Sequence, residues 1–476
     1  MKVETSTYLQ AVKPQLKEFL NNLLTEYDYV SILAEDGTAK KYSVSKTGVT
    51  LAEDDLLTSR GVVVKVYSGG SYSEYAFNQI NSGELELARQ MLRENLTALD
   101  EKLPDGLDVS RYKKPADEPC VFHRSTSYEK HPEQVGDEAV VALLSRIYER
   151  GMAMDERILN CSVSFVYQQY SKLFLSEHRD MTQDILWSNG AIVAMASNGE
   201  KVESYYKGFS NQGGAELLDY MDGGLDEVIR KVLELLSSEP MAPGEYDCIC
   251  TPEVTGMIAH EAFGHGVEMD MFVKKRALAE KYMGEYVASP LVTMHDGAAA
   301  ARETASYFFD DEGVLAQDTV VIDKGILKQG ICDSQTAMHL NAAPTSNGRR
   351  QSFSHKAYTR MTNTFFEGGT DQYEDMVASI DYGFQLECPM SGMEDPKNWG
   401  IQCMVTMARE IKNGKFTGRI FSPIVLTGYV PDLLKSISMM SETVELSGGG
   451  FCGKGYKEWV KVSDGGPYMK ARIRLG

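Results

Sequence analysis

Hydrophobic residues recur with helical spacing at the start of the chain. Leu16, Phe19, Leu20 and Leu23 fall on one face among charged positions and predict an amphipathic helix over about residues 10–27. The period then shifts. DYVSILAE, KKYSVSKTGVTLA, GVVVKVYSGG and SYSEYAFN are short β-branched and aromatic runs separated by Gly, Ser and Asp, and predict a small antiparallel meander. Helical spacing returns in GELELARQMLRENLTAL, about residues 83–99, and LPDGLDVSRYKKPADEPC reads as a loop. Val141, Leu144, Ile147 and Tyr148 predict a helix from Asp137 to Met152. ILNCSVSFVYQQYSKLFLSEH and ILWSNGAIVAMASNGEKVESYYKGF then predict strands with tight turns, and LDEVIRKVLELLSSEP a helix that ends near Pro240.

The main boundary is expected at that point. It divides an N-terminal α/β part with antiparallel sheets and helices, residues 1–240, from a strand-rich, Gly-rich C-terminal domain, residues 241–476. The order helix, strands, helix, helix, strands, helix in the first part suggests a duplicated unit. In the second part MAPGEYDCICTP, ASYFFDDEGVLAQDTVVIDKGILKQGICDS, MTNTFFEGG and MVTMAREIKNGKFTGRIFSPIVLTG read as strands. One helix stands out, PEVTGMIAHEAF, at about residues 253–263. The expected fold class is α+β.

Composition narrows the function. The 476 residues carry 48 Lys+Arg against 68 Asp+Glu, a net charge of −20 spread along the chain. That sign repels phosphate backbones, which argues against direct nucleic-acid binding and against a polybasic membrane contact. The hydrophobic share of 43% excludes a disordered or collagen-like chain. MKVETSTYLQAVKPQL lacks the apolar stretch of a signal peptide, and no window approaches the ~18 apolar residues of a spanning helix. A cytoplasmic protein is expected, with its eight Cys kept as thiols.

A reduced thiol can ligate metal, and so can the segment His260-Glu261-Ala262-Phe263-Gly264-His265. Imidazoles are common zinc ligands, and a carboxylate beside them can deprotonate a bound water. The two His are five apart, however, and a regular α-helix would splay them by ~140°. Both can face one metal only if the helix takes a π-type bulge or stops around Phe263–Gly264. Gly264 and Gly266 permit either distortion. The third ligand is open between Glu268 nearby and Cys452 in SGGGFCGKG, whose thiol Lys454 could make more acidic. Cys248 and Cys250 share one face of a strand and read as buried small residues. Arg349, Arg350, Arg360 and Asn363 lie in loops and suit either substrate carboxylates or loop hydrogen bonds. Asp310 and Asp311 fit turn chemistry, and GKGYK lacks the spacing of a phosphate loop.

HEAFGHGVEMD, FFDDEG, SNGRR, TRMTNTF and GGGFCGKG, in this order, resemble the TldD/PmbA family of cytosolic metallopeptidases. The His-Glu-x-x-x-His segment and the late Cys resemble its TldD-like subunits; PmbA/TldE-like subunits lack both. The resemblance implies zinc held by His260, His265 and Cys452, with Glu261 as general base and Glu268 behind the ligands. It implies hydrolysis of unfolded peptides or small proteins, with Arg349, Arg360 and Asn363 as candidate substrate contacts. A PmbA/TldE-like partner or a second copy would complete the chamber. It also carries the family's older label, modulator of DNA gyrase. The rival readings are a catalytically silent binding or regulatory subunit and a zinc amidase of another kind.

Overall fold

Residues 1–102, 113–455 and 457–476 are described in the computed structural model of the chain, so most of the expected loop after residue 102 lies outside the described residues. Helix α1 (Thr7–Leu23) starts at Ser6, whose hydroxyl accepts the Leu9 amide, and buries Leu9, Leu16, Phe19, Leu20 and Leu23. Strand β1 (Tyr29–Ser45) runs unbroken through two of the expected short strands. Strand β2 (Gly48–Glu53) folds back on its second half, and β3 (Ser59–Ser68) pairs with its first half. Strand β4 (Ser71–Phe77) pairs with β3, and helix α2 (Ser82–Lys102) follows.

The expected meander is therefore corrected: it is one flank of a larger sheet. After β5 (Cys120–Ser125), α3 (Pro132–Val135) and α4 (Asp137–Ala153) come β6 (Ile158–Ser176), β7 (Arg179–Ser197) and β8 (Val202–Asn211). The other edge of β1 pairs with β6 from Ser31 to Val44, giving an eight-stranded sheet of order β4-β3-β1-β6-β7-β5 with β2 on β1 and β8 on β7. Short alternating runs report local turns; a pairing between residues so distant in sequence leaves no local mark. Helix α5 (Leu217–Leu235) then buries Leu218, Met221, Leu225, Val228, Ile229 and Val232, the expected periodic face.

Strand β9 (Gly244–Cys250) opens a second architecture. It pairs with Met469–Leu475, which pairs with Ile424–Tyr429, then Gly400–Lys412, then Tyr382–Asp395, and the last returns to β9. Five strands thus close on themselves, which removes their free edges. Asn363–Phe366 and Ser463–Gly466 belong to a separate six-stranded sheet. The fold class is α+β, as expected. ASYFFDDEGVLAQDTVVIDKGILKQGICDS forms less strand than expected: only Thr319–Asp323 and Ile326–Leu327 are regular. Turns replace the rest because Asp310 accepts the Glu312, Val314 and Gly348 amides at 3.0, 2.9 and 2.9 Å. No helix among the described residues is long and apolar enough to cross a membrane.

The core around α5 also takes in Cys388, Met407 and Ile420 from the C-terminal strands. Leu225 sits fully buried in that shared core. Leu225→Ala is expected to lower unfolding free energy by about 2–5 kcal/mol, through lost transfer energy and the cavity left behind. Denaturant titration monitored by circular dichroism measures it; a loss below about 1 kcal/mol would mean that the core around Leu225 closes over the missing side chain.

Candidate metal centre

Strand β9 ends at Cys250 and helix α6 (Pro252–Ile258) begins two residues on, with Pro252 in the first turn where no amide partner is needed. The helix then widens. Residues Ala259–Gly264 form a π-helical turn, and His265–Val267 close the segment as a 3₁₀ turn. A π turn holds an extra residue, so side chains five apart come round to the same side. The rings of His260 and His265 meet at 87° with centroids 5.1 Å apart. The two glycines serve space here. Gly264 has right-handed helical torsions, and a Cβ there would collide with Met361 Sδ. A Cβ on Gly266 would lie 2.7 Å from Glu394 Oε1.

Cys452 reaches the pair from the far end of the chain. It lies on the hairpin strand Phe451–Lys454, opposite Val460 on Lys457–Lys461. Its Sγ is 3.4 Å from His265 Nε2, and donor atoms of His260, His265 and Cys452 all lie within 4.8 Å of one another. Tetrahedral zinc with bonds of about 2.0–2.3 Å separates its ligands by roughly 3.5 Å, and two imidazoles plus a thiolate leave one position open. His260 Nδ1 is buried with no hydrogen-bond partner among the described residues. The donor set and the orphaned nitrogen suit zinc.

Electrostatics prepare the thiol. Burial pushes the Cys452 pKa up, but the neighbouring His265, with help from Arg360, brings it below the usual thiol value. The Lys454 side chain, expected to do this, lies outside the described residues. Glu261 stands with Oε2 3.9 Å from His265 Nε2, and Gly392 makes room for it: a Cβ there would collide with Glu261 Cγ.

Glu268 sits behind the cluster, its Oε2 3.6 Å from His265 Nδ1 and 3.0 Å from Lys457 Nζ. Lys457 also donates to Asp270 Oδ1 at 3.0 Å and to the Thr359 carbonyl at 2.9 Å. Burial alone would lower the Lys457 pKa; Glu268 and Asp270 outweigh it and raise the value. Arg360 donates from Nη2 to the Cys452 carbonyl at 2.6 Å and from Nη1 to the Glu458 carbonyl, so it ties down both strands of the hairpin. Asp464 is a further neighbour: burial lifts its pKa to about 6, His260 lowers it and Glu261 raises it. The sequence reading passed over Lys457, Asp464 and Gly392, because a lone Lys, an Asp in a Gly-rich turn and a strand Gly carry no spacing signal.

The other candidates have separate places. Asn363 gives its amide to the Gly297 carbonyl at 2.9 Å and Ser306 Oγ at 3.0 Å, and Arg350 pairs with Glu74. Arg349 donates to the Met361 carbonyl at 2.6 Å and lines a cleft beside the hairpin. Asp311 pairs with Lys172. Cys248 and Cys250 are fully buried in the C-terminal core.

Residues 243–473 match the family described as the PmbA/TldA metallopeptidase C-terminal domain. A metalloprotease TldD homolog of Haemophilus influenzae is 30% identical over 353 residues, 71% of this chain and 72% of that protein. A zinc metalloprotease TldD homolog of Saccharolobus solfataricus is 29% identical over 314 residues, 64% of this chain and 69% of that protein. The chain belongs to the TldD/PmbA family. In fold it is similar to TldE from Thermococcus kodakarensis, with a TM-score of 0.73 at 15% identity over 97% of this chain and 99% of that one.

The buried lysine behind the cluster gives a test that needs no activity. Lys457 and Glu268 have side chains 1% and 0% exposed, so removing the cation takes the nearest charge partner from two carboxylates and leaves Glu268 with Arg360 at 3.7 Å and Asp270 with Lys274 at 3.2 Å. Lys457→Met is expected to cost about 3–5 kcal/mol of stability at pH 7. Thermal and denaturant unfolding read it, and Lys457→Arg should recover part of the loss. A neutral result for Lys457→Met would show that Arg360 and Lys274 suffice to balance Glu268 and Asp270.

Proposed function

We propose that this chain is a zinc-dependent metallopeptidase, holding the ion with His260, His265 and Cys452 and hydrolysing peptide bonds of unfolded peptides or small proteins. The observation that carries the reading is the convergence of two imidazoles and a distant thiol in one buried cluster, with Glu261 beside it. The relatives named as metalloproteases, one of them as a zinc metalloprotease, support it. When bound there, zinc would act as a Lewis acid towards the scissile carbonyl and make water a stronger acid. Glu261 takes the proton of the attacking water at its carboxylate and returns it to the leaving amine. Gly392 and the π turn leave room for that carboxylate beside the cluster while His265 is steadied from behind by Glu268. Arg360 acts by positioning, through the Cys452 carbonyl. The likeness to TldE supports a partner subunit of that kind, or a second copy, completing the chamber. A cytoplasmic location suits the reading, since Cys452 must stay reduced to act as a ligand.

Two substitutions separate ligand from base. Cys452→Ala should lose most of its zinc by elemental analysis, while wild type holds about one ion per chain. Full zinc occupancy in that variant would remove Cys452 from the ligand set and promote Glu268. Glu261→Gln should keep the zinc and lose about 10²–10⁴ in turnover. The assay uses an unfolded peptide with a TldE-like partner present. Wild-type turnover in Glu261→Gln would refute the assigned base, and no turnover by wild type under those conditions would favour a silent binding subunit.

A further inference from the structure

A cleft lies between the N-terminal sheet and the hairpin that carries Cys452. Its lining includes Lys172 and Trp187 from the sheet, and Arg349, Arg350, Phe451 and Lys461 from the C-terminal part. Two of these cations are neutralised. Lys172 pairs with Asp311 and Glu35, and Arg350 grips Glu74 with both terminal nitrogens. The other two are not: among the described residues, neither Arg349 nor Lys461 has a carboxylate oxygen within 4.0 Å. Arg349 spends one donor on a backbone carbonyl, and its guanidinium lies 5.5 Å from the Tyr307 ring centre.

Lys461 is the odder group. Only 7% of it is exposed, and its ammonium sits 4.8 Å from the Trp187 ring centre and 4.4 Å from that of Phe451. Its one polar partner among the described residues is Asn189 Oδ1, and that amide is fixed in orientation because its NH₂ donates to the Phe209 and Gly448 carbonyls at 3.3 and 3.0 Å. A neutral acceptor satisfies one of three ammonium protons and brings no countercharge. Burial pulls the amine down to about 7; Glu303 and, more weakly, Asp464 oppose this and Arg349 adds to it. The Glu303 carboxylate is already engaged by Ser210 Oγ and the Thr304 amide. A buried cation with no carboxylate in contact is costly.

We propose that this cleft binds a carboxylate, held by Lys461 and Arg349, with Trp187 and Phe451 packed against the apolar part of the same ligand. The open fork of Arg349 matches the geometry of a carboxylate. Such a ligand would rest on the back of the strand whose next residue is Cys452. The carboxylate can come from the end of a peptide or from a small free acid.

Calorimetric titration of the full chain tests this without turnover if it is done on Glu261→Gln protein. The probes are N-acetyl-trialanine, its C-terminal amide and N-acetylalanine. The free tripeptide acid should bind at least tenfold more tightly than the amide. Lys461→Met and Arg349→Gln should each weaken the acid at least tenfold and leave the amide unchanged. Tighter binding of the tripeptide acid than of N-acetylalanine assigns the site to peptide ends; equal binding assigns it to small acids, and both uphold the carboxylate site. Equal binding of acid and amide overturns the proposal and needs no variant to read. Acid binding that survives Lys461→Met also overturns it, because the carboxylate is then held elsewhere. Neither outcome depends on whether the chain hydrolyses peptides.

Discussion

His260 and His265 stand five positions apart, and no regular α-helix can turn both towards one point. The π turn at Ala259–Gly264 answers that constraint, and much of the C-terminal part is built to hold it. A π turn is wide and packs poorly by itself. Here Ala259, Ala262 and Phe263 are completely buried, so the surrounding core fills what the widened turn leaves. The closed ring of five strands supplies that core, and its strand Tyr382–Asp395 contributes Gly392 where Glu261 must stand. Gly264 and Gly266 let Met361 and Glu394 approach the turn from its other sides. Helix shape and the placement of Gly264, Gly266 and Gly392 thus answer to one spacing.

Charge is organised around the same turn. A chain of net charge −20 has carboxylates to spare, and Glu261, Glu268, Asp270 and Asp464 all gather near the two imidazoles. Burying them together would be prohibitive without cations. Lys457 and Arg360, each with a side chain 1% exposed, supply these from the late hairpin and from the segment before Asn363. Arg360 binds carbonyls of the hairpin while its Nε lies 3.7 Å from Glu268 Oε1, so one guanidinium links the carboxylate behind His265 to the backbone of Cys452.

The parts legible in the sequence are those with a short period or a short motif. Leu16, Phe19, Leu20 and Leu23 announced α1, and the face of α5 was equally plain. The interval between His260 and His265 even required the helix to deform where it does. Long-range pairing was not legible. The union of β1 with β6 joins residues 31–44 to 163–176, and alternation within either strand is the same whichever neighbour it meets. Cys452 could be proposed only as one of two ligands until a family resemblance favoured it, since a thiol in a Gly-rich loop looks alike with or without a partner. Lys457 and Lys461 were invisible for the same reason: a lysine in a strand reads as solvent-facing, and only tertiary packing shows both side chains buried.

The hairpin that ends the site has two faces, and the period of two along a strand decides what each can do. Cys452 and Val460 are cross-strand partners and belong to the C-terminal core with the helix of His260. Phe451 and Lys461, the adjacent partners, turn to the other side, where Phe451 meets Trp187 of β7 with ring centroids 6.3 Å apart. The thiol is therefore carried on a strand whose reverse is packed against the N-terminal sheet. A shift of that sheet relative to the hairpin would move Phe451 first and Cys452 with it, because neighbouring Cα atoms are joined at a fixed 3.8 Å. The N-terminal sheet, which contributes no residue to the cluster of His260, His265 and Cys452, nonetheless packs against the strand that carries one of its three donors.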